Sequence, residues 1–346
     1  MSGDPTRIPG PEARHPRTRG AGTPRPAAAE RNLLELIRGL HNLRPRHRGC
    51  VLTIGVFDGV HVGHRTLLER LAALGEDFNL PSTLMVFEPH PQEMLDYLVT
   101  PARITAFREK MLALRTTPVD RVLCVRFDEK FAVMRAGEFV EDLLVAKLGV
   151  RHLVVGDDFR FGYQAEGDVE LLRATAPRHG FEVHRRDTYR IAGDRVSSTR
   201  IRNMLAVGWI DAVTPLLGRR FSVSGRIRHG RHLGTGLGFP TANFALRRPV
   251  CPISGVFTVR MRLDGEDRLR PGVANIGVRP TVGGTERLLE VHLLGFSGDL
   301  YGRHAEVEFF TRLREERRFD SLDALRTQIA LDVQSAREFF AAQMLG

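Results

Sequence analysis

Two histidines stand three residues apart in GVFDGVHVGH (residues 55–64), where an apolar run gives way to helical spacing. His61 and His64 around Gly63, at the start of a helix, make an anion site: the glycine lets backbone approach a phosphate, and free N–H groups at a helix start favour negative charge. Imidazoles there can donate to oxygens that gain charge during attack on an α-phosphate. A pair at i, i+3 also suits a metal or a purely structural role, but its position after an apolar strand favours the anion reading. A second segment, VSSTRIRNML (196–205), offers Ser197, Ser198 and Thr199 at a helix start, with Arg200 and Arg202 on the first turns. Hydroxyls, amides and guanidinium groups together suit β- and γ-phosphates, although SSTR alone reads as a plain helix cap.

The last third of the chain carries a different set. GLGFPTANF (236–244) places Thr241 and Asn243 in an expected loop between strands, giving a hydroxyl and an amide oxygen, hard donors suited to magnesium with ATP phosphates. Glu290 is an acid inside the apolar run LLEVHLL. Alternation alone would turn it to solvent; within a cleft it would be a general base.

These residues need elements to hold them. From residue 51, apolar runs alternate with helical patterns: strands at 51–57, 82–88, 120–127, 151–156 and 181–187, and helices at 65–76, 104–115, 138–149 and 168–176. That alternation predicts a parallel sheet covered on both faces, with ligands at the carboxyl ends of its strands. VFEPHP (86–91) and VGDDFRFG (155–162) lie at two such ends. Beyond residue 218, β-rich runs at 220–230, 255–263, 272–278, 288–296 and 304–313 are separated by Gly and Pro turns without an intervening helix, which predicts an antiparallel barrel or sandwich. Asp320-Ser321 then caps a final amphipathic helix.

Composition narrows the class. The chain has 346 residues, 42% hydrophobic and 27% charged, so one or two ordinary cores are affordable. A net charge of +10 suggests nucleic acid at first sight, yet ten Arg against four acids in the first 50 residues supply most of it. Residues 1–30, rich in Pro, Gly, Ala and Arg, read as a disordered tail. None of the three lysines (Lys110, Lys130, Lys147) follows a glycine, which excludes a GxxxxGKS/T phosphate loop. Three scattered cysteines give neither a disulfide framework nor a cysteine zinc site and fit a reducing, cytoplasmic setting. No stretch is long and apolar enough to span a membrane.

On GVFDGVHVGH, FEPHP, GDDFRFG and VSSTRIR, in that order, residues 51–205 resemble the nucleotidyltransferases with HxGH and SSTxIR signatures. Adding LLGRRFSVSG, GFPTAN, SGVF, GVANIGVRPT, LEVHLL, DLYG and FDS, residues 51 to about 340 resemble the bacterial bifunctional riboflavin kinase/FMN adenylyltransferases, also called FAD synthetases. The resemblance implies a Rossmann-like nucleotidyltransferase domain over 46–217, preceded by a tail and lead-in over 1–45. A β-barrel riboflavin kinase domain with a C-terminal helix follows over 218–346. It implies phosphorylation of riboflavin to FMN and adenylylation of FMN to FAD, with ATP and Mg2+. His61 and His64 would stabilise the transition state, with Gly55, Phe57, Gly63, Ser198, Thr199 and Arg202 on ATP. Glu88, Asp158 and Arg160 would place FMN. In the barrel, Gly238, Pro240, Thr241 and Asn243 would bind Mg-ATP, Glu290 would take the hydroxyl proton, and Arg314 and Phe319 would contact flavin.

The chain departs from that pattern at several places. YQAE (163–166) stands where basic residues often precede Gly-Asp, His232 and Thr235 replace cations, and Gly295 replaces an acid. These changes imply weaker phosphate or flavin contacts locally. The partners expected are small molecules, with no nucleic acid or membrane, and a monomer or weak homo-oligomer. The competing readings are an enzyme with one activity only, or a flavin- or RNA-binding protein with degenerate sites.

Overall fold

The computed structural model describes residues 34–95, 100–186, 188–230, 233–246, 248–281 and 284–345. The Arg-rich tail and His232 lie outside them, as does the Thr235 side chain. In the first half, six parallel strands form one sheet: β1 (Glu35–Arg38), β2 (Cys50–Ile54), β3 (Ser82–Glu88), β4 (Arg121–Arg126), β5 (Val150–Gly156) and β6 (Glu182–Arg186), in spatial order β1-β4-β3-β2-β5-β6. Every residue of β2 is buried, as expected for a strand covered on both faces. The order reverses between β2 and β5, and the crevice beyond their carboxyl ends is where such a sheet takes ligands.

The helices α1 (Val62–Phe78), α2 (Pro91–Leu95), α3 (Phe107–Leu114), α4 (Glu129–Ala132), α5 (Ala136–Glu138) and α6 (Val169–His179) connect these strands. A π-helix, Phe139–Lys147, occupies the segment expected as an ordinary helix. Its buried Phe139, Leu143, Leu144 and Leu148 repeat at four and five residues, and the Leu148 N–H bonds to the Leu143 carbonyl, the wider ring of that helix type. A hairpin, β7 (Arg190–Ile191) with β8 (Asp194–Arg195), precedes α7 (Ser198–Ala206) and α8 (Ile210–Leu217).

The second half is a closed antiparallel barrel of β9 (Ser222–Arg228), β10 (Ala242–Ala245), β11 (Gly255–Leu263), β12 (Leu269–Thr281), β13 (Gly284–Leu293) and β14 (His304–Arg314). A four-residue helix, α9 (Leu233–Gly236), interrupts the helix-free stretch expected there. The last helix, α10 (Leu322–Leu345), is capped by Ser321, whose hydroxyl accepts from the Ala324 N–H at 3.1 Å. Its Val333 and Ala336 cover Val256 and Val273 on the outer face of the barrel.

Two further features bear on where the halves begin and meet. Glu35–Arg38, inside the stretch assigned to a lead-in, is a full member of the sheet through β4, because Leu36 and Ile37 supply just enough apolar surface for an edge strand. The halves on either side of the expected boundary at 218 share a core. Ile201, Leu205, Ile210, Val213, Leu216 and Leu217 pack with barrel residues such as Phe221, Phe257 and Phe309. A buried ion pair ties the halves as well. Arg248, from the β10–β11 connection, donates to both oxygens of Glu109 at 2.6 Å and to the carbonyls of Arg103 and Ile104 at 3.1 Å. Glu109 also accepts from the Ser224 N–H of β9 at 2.8 Å.

Removing one member of so buried a pair strands a charge, whereas replacing both with apolar groups does not. Glu109→Gln should therefore lower the unfolding free energy by about 3–5 kcal/mol, read by denaturant titration of the full chain. The double replacement Glu109→Leu/Arg248→Met should recover most of that loss. A Glu109→Gln effect below about 1 kcal/mol would show that the pair behaves like a surface bridge.

Candidate active sites

The chain between β2 and α1 does not continue the strand to Phe57 as expected. It leaves β2 at Ile54 and folds into a tight loop in which Phe57 (φ 52°) and Val60 (φ 42°) take left-handed backbone. Such residues cost on the order of 1–3 kcal/mol each and persist only where surroundings fix them. Here they are fixed from all sides. Lys110 Nζ donates to the Val56 carbonyl at 2.8 Å, and the Gly59 N–H donates to Thr105 Oγ1 at 3.0 Å. Arg219, just past α8, donates to the Gly59 carbonyl at 2.8 Å and to that of Val60 at 3.3 Å. Burial lowers Arg219 to about 10, which still leaves it charged at neutral pH.

Asp58 is the centre of this loop. Its buried carboxylate accepts from the Ile104 N–H at 3.0 Å, the Thr105 N–H at 2.9 Å and Arg202 Nη2 at 3.2 Å. Burial alone would raise its pKa, but those hydrogen bonds and charges outweigh it and hold the carboxyl below its usual range. Ser198 Oγ donates to the Asp58 carbonyl at 2.9 Å, so α7 is pinned to the loop through both groups of Asp58. Ser197 caps α7 by accepting from the Arg200 N–H at 3.2 Å.

The loop opens α1 with His61 as its cap. His61 Nδ1 accepts from the His64 N–H at 3.2 Å, which leaves Nε2 carrying the ring proton. The His61 and His64 rings stack at 3.6 Å, and Phe57 stacks on His64 at 4.5 Å. Burial is the main cause that lowers His61 to about 4, and nearby Arg186 adds to it; His64 falls well below its ordinary value for the same main reason. The pair is therefore neutral at pH 7 and can offer N–H donation rather than net charge. His64 Nδ1 is buried without a hydrogen-bond partner.

These groups line a cavity of about 1120 Å³, ample for two nucleotide-sized molecules. The cavity brings together Gly55, Phe57, His61, Gly63, His64, Asp158, Arg160, Ser198, Thr199 and Arg202, as the sequence leads one to expect. Glu88 is not in its lining: Arg103 holds that carboxylate at 2.7 Å and chelates Glu93 with its other nitrogens. Asp158 is paired with Arg195 at 2.6 Å, and Arg160 with Asp168 at 3.1 Å. Tyr163, Gln164 and Ala165 line the wall, while Glu166 accepts from the Ala136 N–H at 2.7 Å and so anchors that wall. Sequence reasoning passed over Asp58, His90 and Arg186, which also line the cavity; the first two sit inside motifs already singled out. Arg186 Nη1 donates to the Gly63 carbonyl at 2.6 Å.

On the barrel, the polar residues fall on one outward face. Phe244, Leu289, Val291, Ala274 and Ile276 point into the core, so Asn243, Glu290 and Asn275 between them point out. They are direct cross-strand neighbours: Asn243 opposite Glu290, and Glu290 opposite Asn275. Ala242 and Asn243 lie in strand β10 rather than in a loop, which fixes this register. Asn243 Nδ2 bonds to the Thr241 carbonyl at 3.2 Å, turning its amide oxygen away, and Asn275 Oδ1 is buried with no hydrogen-bond partner. Pro240 accepts from His292 Nδ1 at 2.9 Å, and Gly238 (φ 89°) turns the loop. Gly295 also has left-handed backbone (φ 63°), a geometry that favours glycine over an acid. Arg314 chelates Asp332 of α10 at 2.8–3.1 Å, so it tethers that helix, with Phe319 beneath it at 5.6 Å.

The two halves match separate family models. The family model for FAD synthetase matches residues 43–200 and that for riboflavin kinase matches residues 217–340. A bifunctional riboflavin kinase/FMN adenylyltransferase of Escherichia coli strain K12 is 51% identical over 308 residues, 89% of this chain and 98% of its own. The chain belongs to the bifunctional riboflavin kinase/FMN adenylyltransferase family. A member of that family from Pseudomonas fluorescens is 48% identical over 309 residues, again 89% of this chain and 98% of its own. A solved Streptococcus pneumoniae chain described as a macrolide-efflux protein superposes with a TM-score of 0.73 at 26% identity, covering 88% of this chain and 99% of its own. Among the described residues here, no helix is long and apolar enough to cross a membrane.

His61 and His90, each lowered to about 4 from an ordinary 6.5, give a signed pH prediction. Between those values the unfolded chain binds more protons than the folded one, so stability rises with pH and is fully present above about 6.5. Unfolding free energy should fall steadily from pH 6.5 to 4, and His61→Gln should flatten that slope. NMR of the His61 ring should show no titration near pH 6.5; a midpoint there would contradict the buried, neutral assignment.

Proposed function

We propose that the barrel transfers the γ-phosphoryl group of ATP to riboflavin and that the α/β half transfers the adenylyl group of a second ATP to the resulting FMN. The observation that carries this reading is the neutral His61–His64 pair at the mouth of α1, facing the start of α7 across one cavity. In that half an FMN phosphate oxygen attacks the α-phosphorus of ATP, the bond to the β-phosphate oxygen breaks, and pyrophosphate leaves. The step needs alignment and charge stabilisation and no covalent enzyme intermediate. His61 Nε2–H is the donor aimed at the reacting phosphate. The amides at the starts of α1 and α7, with Thr199 and the Nε side of Arg202, receive the leaving phosphates. Ser198, whose proton goes to the Asp58 carbonyl, acts by positioning α7. Asp158 and Arg160 form the FMN side, with Tyr163 offering a flat surface.

In the barrel, Glu290 accepts the proton of the ribityl hydroxyl as its oxygen bonds to the γ-phosphorus and ADP leaves. The unpartnered Asn275 oxygen and the outward Asn243 amide, beside Thr241, make a set of neutral oxygens that fits Mg2+. Thr241 and Asn243 would hold that ion, which when bound offsets phosphate charge. Phe319 is the flavin contact; Arg314 shapes its surroundings through α10. The three described thiols are free, in keeping with a reducing, cytoplasmic setting for an enzyme acting on small molecules.

Incubation of the full chain with riboflavin, ATP and Mg2+ should give FMN first and FAD after it, resolved by chromatography. His61→Ala/His64→Ala should stop the reaction at FMN, with FAD formation reduced by roughly 100-fold or more. Glu290→Gln should lower FMN formation by roughly 100-fold or more while supplied FMN is still converted to FAD. Loss of both steps in either variant would argue against two separate sites, and absence of both products from the parent chain would remove the reading.

A further inference from the structure

On β5 and β6, set back from the nucleotide cavity, three side chains converge on one point. His152 and Glu182 are register partners on β5 and the edge strand β6, and His184 lies two residues along β6 on the same face. His152 Nδ1 is 3.1 Å from His184 Nε2 and 3.6 Å from Glu182 Oε2, and His184 Nε2 is 3.7 Å from that oxygen. We propose that His152, His184 and Glu182 form a binding site for a borderline transition-metal cation of the Zn2+ class, with its remaining position open to solvent.

The geometry fits such an ion. Ligands about 2.0–2.2 Å from a tetrahedral zinc lie about 3.3 Å from one another, close to the three separations present. Two imidazole nitrogens and one carboxylate oxygen form a common three-ligand set that leaves one position free. His152 is buried and packed against Phe78, the last residue of α1, with ring centroids 3.9 Å apart and the rings tilted by 30°, so one ligand is already fixed before an ion arrives. Glu182 is largely exposed and closes the set from the solvent side. Burial also keeps both imidazoles unprotonated near neutral pH, the state a metal requires.

The surrounding charge selects the ion class. Arg151 lies near His152 and Arg70 near His184, and both lower the affinity for any cation held by charge alone. A single carboxylate cannot offset two arginines for Mg2+ or Ca2+, whereas imidazole coordination gives Zn2+ a gain that those hard ions lack. The site is separate from both reaction centres. His152 and Glu182 lie toward the amino ends of β5 and β6 and His184 at the middle of β6, while the cavity opens beyond the carboxyl ends of both strands. An ion there would tie the edge strand to β5. Two residues beyond His184, Arg186 holds the Gly63 carbonyl, so that tie would steady one wall of the cavity.

The competing account is a plain hydrogen bond between two neutral imidazoles, and metal titration separates the two. The full chain, stripped with EDTA, should bind one Zn2+ with micromolar or tighter affinity by calorimetry, and Co2+ in its place should show the visible bands of a tetrahedral N/O centre. Zn2+ should also raise Tm. His184→Gln and Glu182→Gln change side chains at the solvent side and keep the fold, checked by circular dichroism. Each should weaken Zn2+ binding by roughly tenfold or more and reduce the rise in Tm. Unchanged affinity and Tm response in both variants, or no Zn2+ binding by the parent chain, would overturn the site.

Discussion

The Asp58 carboxylate is the constraint on which the first reaction centre depends. It sits buried in a loop with two left-handed non-glycine residues, a conformation no isolated peptide would keep. Its partners come from two places in the chain: backbone at Ile104 and Thr105, and the Arg202 side chain on α7. Arg219 and Lys110 take the loop's carbonyls. The His61 cap and the start of α7 then follow as consequences, because both are attached to the loop on either side of Asp58. Preorganisation of this kind suits adenylyl transfer, in which the protein contributes position and dipoles rather than a nucleophile.

The same network joins the halves. Segment 103–109 carries the amides that hold Asp58 and also the carbonyls and Glu109 carboxylate that hold Arg248 of the barrel side. Arg219 reaches back from the start of the barrel to Gly59 and Val60. The enzyme is therefore two folds whose cores meet at α7 and α8, rather than two beads on a linker. The product of the barrel is the substrate of the α/β half, and the two proposed reaction centres share no residue.

Much of this was legible in the sequence. Strict strand–helix alternation gave the parallel sheet, because fully buried strands read as unbroken apolar runs; STLMVFE matches β3 residue for residue. Motifs located His61, His64, Thr199 and Arg202, since a helix start beside glycine is a local feature. What the sequence hid was non-local. Nothing in ELIR announces a strand until β4 lies beside it. Glu88 and Arg314 look available in sequence, but Arg103 and Asp332, fifteen and eighteen residues away, hold them. Asp58 went unremarked although it lies between two noted glycines, because its role depends on amides more than forty residues distant.

The central claim is that the barrel side helps build the adenylyl-transfer site through Arg219. Its most direct test is the Arg219→Met variant, which keeps the aliphatic stem and removes the donors to Gly59 and Val60. In one folded preparation, confirmed by cooperative unfolding, conversion of FMN to FAD should fall by roughly tenfold or more while riboflavin phosphorylation stays within about twofold of the parent. Equal rates of FAD formation in variant and parent would contradict the claim and leave the loop anchored by its own half alone.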